Sequence, residues 1–120
     1  MTFENTLRDL LARGLAVRFR VRGDSMHPTI RCGQALHVVP IRATELVRGD
    51  VVLAHHPRGL TAHRIVRIDG ARIVTRGDNC SLDDPAFATG DVLGRVVLTN
   101  FSRWRQRLTA AAAVLWQLVR

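Results

Sequence analysis

The strongest constraint in this sequence is a succession of short apolar runs broken by turn residues. Between residues 15 and 22 the alternation is strict, with Val17, Phe19 and Val21 on one side and Arg18, Arg20 and Arg22 on the other. A side-chain period of two belongs to a half-buried strand. Further runs at 35–39, 50–55, 60–68, 71–75 and 92–99 are separated by Pro57-Arg58-Gly59, Asp69-Gly70 and Gly77-Asp78-Asn79. Asp-Gly between two such runs is a strong hairpin signal. Short strands joined by tight turns predict a mainly β protein.

Two segments depart from this pattern. Phe3, Leu7, Leu10 and Leu11 lie at helical spacing, with Thr2 placed to cap and Gly14 to stop a helix over 3–13. Beyond Asn100, Trp104, Leu108, Leu115 and Leu118 can share one face of a second, amphipathic helix. Its apolar stretch is shorter than the roughly 20 residues a membrane crossing requires. A chain of 120 residues has core enough for one domain and not for two. The expected organisation is therefore a helix over 1–14, a β domain over 15–99 and an amphipathic C-terminal helix over 100–120.

Net charge is +8, and all 18 basic residues are arginine. Such a surplus is either a solvated face or a preference for anionic surfaces. Arg103, Arg105 and Arg107 around Trp104 would let a helix over 103–120 lie on an anionic membrane or pack on the β domain. No helix-turn-helix fits ahead of the first strand, so sequence-specific nucleic-acid recognition is not expected; nonspecific binding would be steeply salt-dependent. Glu4 and Asp9 fall where an export signal needs an apolar stretch, which predicts a cytoplasmic chain, at most peripheral at the inner membrane face. Cys32 and Cys80 lack CxxC-like partners and are expected to be reduced thiols. No cofactor is expected. His55, His56, His63 and Cys80 include zinc-ligand types, but adjacent strand residues point to opposite faces and do not converge readily on one ion.

A serine becomes a nucleophile when a neighbouring base takes its proton and donors receive the oxyanion formed on attack. Ser25 directly follows a strand and a glycine, where a tight backbone can expose its hydroxyl. The string Gly23-Asp24-Ser25-Met26-His27-Pro28-Thr29-Ile30 resembles the nucleophile motif of signal peptidases and of the self-cleaving SOS-repressor family. The resemblance continues in order through Arg48-Gly49-Asp50-Val51-Val52-Leu53, Ala62-His63-Arg64-Ile65-Val66, Thr75-Arg76-Gly77-Asp78-Asn79 with Asp83-Asp84 after it, and Gly94-Arg95-Val96. Four ordered blocks over residues 17–96 are far more specific than one serine motif.

This likeness implies a β-barrel-type catalytic core flanked by short helices, and a serine peptidase activity on an extended precursor or leader peptide beside small residues. Bacterial signal peptidases and SOS repressors use a lysine base, whereas archaeal and endoplasmic-reticulum signal peptidases carry a histidine there. This chain has no lysine, and His63 falls at the matching position. An imidazole suits proton transfer near neutrality. Asp84 matches the carboxylate paired with that histidine, with Asp78 as the alternative orienter or a secondary support.

Some relatives place a serine hydroxyl two residues before the nucleophile as an oxyanion donor. Gly23 stands there in this chain, leaving the main chain to donate. Met26 and Pro28 are candidates for the substrate pocket, although a methionine also commonly fills a core. His27 and His37 read as surface or packing residues. The competing reading is a non-catalytic peptide-binding or dimerisation module of the same fold.

Overall fold

The computed structural model describes residues 2–57 and 59–98 together with the backbone of 112–119. Among these residues there is one α-helix, α1 (Phe3–Ala12), and eight strands. The strands are β1 (Ala16–Val21), β2 (Ala35–Val39), β3 (Val51–His56), β4 (Gly59–Asp69), β5 (Arg72–Arg76), β6 (Phe87–Ala88), β7 (Val92–Val96) and β8 (Ala112–Val119). They form one sheet in the order β6-β5-β4-β3-β7-β2-β1-β8. Neighbours from β6 to β1 are antiparallel, and β8 runs parallel to β1. No helix among the described residues is long and apolar enough to cross a membrane.

Both faces of the sheet carry an apolar cluster. On one face Leu7 and Leu11 of α1 meet Val17, Phe19, Val21, Leu36, Val38, Val51 and Leu53. On the other, Leu46, Val52, Ile65 and Ile73 pack together. Strand β3 lies between them, so successive residues Val51, Val52 and Leu53 are all buried. This explains its unbroken apolar run, since a strand covered on both faces loses its alternation. The Thr2 hydroxyl accepts the Asn5 N–H at 3.1 Å and caps α1, and Gly14, at φ +83°, turns the chain into β1. Phe3 meets Phe19 edge to face, with ring centroids 6.1 Å apart.

The helix expected over 100–120 is corrected at 112–119, which form β8. Residues 99–111, including the basic cluster around Trp104, lie outside the described residues, as does Arg120. Helical spacing of Ala and Leu is a local signal, whereas the open edge of β1 offers a row of backbone donors and acceptors to any segment with strand-forming residues. Val114, Trp116 and Val119 supply these. The last apolar run also ends earlier than expected, with β7 closing at Val96.

Candidate active site

Ser25 lies in the loop between β1 and β2, four residues beyond the end of β1. Gly23, at φ +91°, adopts a backbone conformation that only glycine takes readily, and the chain turns there so that Ser25 faces β4. His63 is on β4, opposite Val52 of β3. On the outer side β5 begins to pair only at Arg64, opposite Arg76, which leaves the edge at His63 to the Ser25 loop. Asp84 follows β5 and returns beneath the histidine. Three separate segments thus meet at one imidazole.

His63 Nε2 stands 3.0 Å from Ser25 Oγ, and Nδ1 stands 2.6 Å from Asp84 Oδ2. The ionised carboxylate only accepts, so Nδ1 carries the proton and Nε2 is left to accept from the serine hydroxyl. The imidazole is nearly buried, with its side chain 9% exposed. Asp84 is itself clamped. Thr75 donates its hydroxyl to Asp84 Oδ2 at 2.7 Å, and the Asp84 N–H donates to the Thr75 carbonyl at 2.8 Å. Sequence reading gave Thr75 no role. Its position at the head of a matching block was the available signal, but the contact exists only because the chain doubles back between 75 and 84.

Asp78 makes no hydrogen bond to the imidazole, whose ring nitrogens meet Asp84 and Ser25, and acts on it only through its charge. Arg64 donates to Asp78 through two nitrogens, Nε at 2.9 Å and an amino nitrogen at 2.8 Å, and Thr29 adds its hydroxyl at 2.6 Å. The same guanidinium donates to the Gly49 carbonyl at 2.7 Å. Its bond to Arg64, reinforced by Thr29, holds the Asp78 carboxyl below the usual carboxylate range despite partial burial, and Asp78 raises Arg64 above its ordinary value. The bidentate pair ties the strand of His63 to the 77–80 turn, and the Thr29 bond to the same carboxylate brings in the loop of Ser25.

A stabilising carboxylate whose pKa is lowered on folding contributes fully above its unfolded value of about 3.9 and loses that contribution as pH falls through the folded value. Asp78→Asn should therefore lower stability by about 1–3 kcal/mol at neutral pH. The gap from wild type should narrow below the usual carboxylate range. Denaturant melts of both proteins at neutral and acidic pH check this; an equal gap at both would contradict it.

The turn at 77–80 grips the Ser25 loop at several points. Asn79 donates its backbone N–H to the Ser25 carbonyl at 2.8 Å and its side-chain amide to the Asp24 carbonyl at 3.1 Å. The Asp78 N–H points at the Met26 sulfur, 3.2 Å away. Gly77 is required for this approach, because a Cβ there would collide with the Ser25 carbonyl oxygen and lie 2.8 Å from Cys80 Sγ and 3.2 Å from His63 Nε2.

Beside Ser25 is a shallow pocket lined by Val21, Arg22, Gly23, Met26, Ile30 and Ala62. Met26 is both a wall of this pocket and part of the buried core. Pro28, expected in the pocket, is exposed and outside its lining, because the chain winds into a turn closed by Ile30 N–H to the Met26 carbonyl at 3.0 Å. Among the described residues neither the Ser25 nor the Met26 N–H donates to another protein group. His55 is bonded to Glu4 at 2.9 Å, away from His63's partners. His37 is buried and His27 exposed, and Cys32 and Cys80 are free and exposed.

A family model described as Peptidase S24-like matches residues 5–97, from α1 through β7. The chain belongs to the Peptidase S24-like family. A search of curated proteins finds no match. The S24-like region contains Ser25, His63 and Asp84 together with the Thr75 and Arg64–Asp78 supports. An S24-like fold is a serine-peptidase-type fold.

Proposed function

We propose that this S24-like protein is a serine endopeptidase in which Ser25 attacks the scissile carbonyl, His63 is the general base and Asp84 orients and stabilises the imidazole. The observation that carries this reading is the unbroken line from Ser25 Oγ through His63 to Asp84, with contacts of 3.0 and 2.6 Å. Both links meet the geometry expected of a nucleophile and its oriented base.

His63 Nε2 takes the hydroxyl proton as Ser25 Oγ bonds to the carbonyl carbon, and the resulting imidazolium is balanced by Asp84. The oxyanion is received by main-chain N–H groups at Ser25, since Gly23 has no side-chain donor. Collapse breaks the C–N bond, with the imidazolium returning its proton to the departing amine. Water then attacks the acyl-enzyme with His63 again as base, releasing the acid and restoring Ser25.

The substrate is an extended peptide with a small residue on the acyl side of the cut. The shallow pocket walled by Val21, Met26, Ile30 and Ala62 supports this, having room for a methyl group rather than a long side chain. Incubating the protein with a mixture of peptides of defined sequence and reading the fragments by mass spectrometry tests it. Wild type should cut after Ala, Gly or Ser, and Ser25→Ala should leave the mixture whole. Intact peptides in both samples, or the same fragments in both, would overturn the proposal.

A further inference from the structure

Strand β1 is paired with β2 along one edge and with β8 along the other. The second edge leads into the candidate site, since β1 ends at Val21, and Val21, Arg22 and Gly23 wall the pocket beside Ser25. An extended peptide that places a side chain in this pocket has to run beside the end of β1, where backbone pairing would hold it as an added strand. That place is taken. The backbone of β8 pairs with β1 from Ala16 opposite Ala112 to Val21 opposite Val119, and it also approaches β4, the strand of His63.

We propose that segment 112–119 is an internal occupant of the substrate edge, which an incoming peptide has to displace. The inference rests on the peptidase reading above for where the substrate lies. Two features suit β8 to leaving. It is the parallel pair in an otherwise antiparallel sheet, a slightly weaker pairing per residue, and its register shifts between Arg18 and Arg20, near the pocket end. While it is docked, only the fraction of molecules with a free edge binds peptide, and the apparent affinity falls by that fraction.

The test uses the otherwise complete chain carrying Val114→Pro and Leu115→Pro together. Of two successive amides in a strand one faces the neighbour, so the pair of prolines removes a ladder donor whichever it is. In a Ser25→Ala background, binding of a fluorescent peptide of small residues should tighten at least about tenfold over the chain with an unaltered 112–119 segment. With Ser25 present, KM should fall by a similar factor and kcat stay within about twofold. A free peptide of sequence 112–119, extended by two arginines for solubility, should bind the double-proline chain and compete with the fluorescent peptide.

Equal, weaker or absent binding of the fluorescent peptide would overturn the proposal. Failure of the free 112–119 peptide to bind would do so too, as would a double-proline chain that does not fold, since a displaceable occupant cannot be essential to the sheet. Tighter binding with no cleavage by either Ser25-bearing protein would uphold it while overturning the peptidase reading.

Discussion

Ser25→Ala should lower peptide cleavage by about 10⁴-fold or more while leaving the melting curve within a degree or two of wild type, because the hydroxyl contributes to the reaction and little to the core. Asp84→Asn should be milder, for a reason specific to this site. Both the Thr75 hydroxyl and His63 Nδ1 meet the same carboxylate oxygen, Oδ2. An asparagine can keep its carbonyl oxygen there, facing both donors, so the imidazole tautomer survives and only the negative charge beside the imidazolium is lost. The expected loss is about 10²–10³-fold.

Adding Thr75→Val to Asp84→Asn removes the donor that fixes the amide. The amide can then turn its NH₂ toward Nδ1 and impose the wrong tautomer, and the double variant should lose about tenfold more. Comparing kcat/KM of the single and double variants checks this coupling. Additive effects would count against Thr75 as the residue that orients Asp84.

Gly77→Ala is the second change with a large expected effect. The added methyl would strike the Ser25 carbonyl oxygen and press on Cys80 Sγ and His63 Nε2. The cysteine side chain can rotate away, but the carbonyl cannot move without carrying Ser25 with it. A displacement of about 1 Å in a reacting group is worth on the order of 10²-fold in rate, so activity should fall at least that far. Crowding of this kind also costs about 1–3 kcal/mol of stability. Steady-state kinetics and a thermal melt measure the two effects, and a variant cleaving within twofold of wild type would show that the turn is not packed as described.

The β domain was legible in the sequence because its strands carry their environment in their periodicity. Val17, Phe19 and Val21 face one apolar cluster, and the continuous run at Val51–Leu53 reflects burial on both faces of β3. Strand β6, Phe87–Ala88, is too short to show a period. Segment 112–119 misled because helical spacing is a local property, while the partner that makes it a strand lies about a hundred residues earlier at β1.

The candidate site divides in the same way. Ser25, His63 and Asp84 could be nominated because motif order marked them. Thr75, Arg64 and Gly77 sat inside the same blocks with nothing to distinguish them, because their contacts arise from the 77–80 turn closing over the Ser25 loop. Pro28 was drawn into the pocket by proximity in sequence to Ser25, whereas the turn after Met26 carries it outward to solvent.

The central claim is that His63, oriented by Asp84, makes Ser25 nucleophilic, and covalent trapping tests it most directly. The intact protein is treated with a fluorophosphonate, which phosphonylates an activated serine with loss of fluoride, and the adduct is located by peptide mass spectrometry. The account predicts one adduct, on Ser25, formed in wild type and at least about 10³-fold more slowly in His63→Ala. No adduct on Ser25, or labelling at the same rate in both proteins, would contradict it.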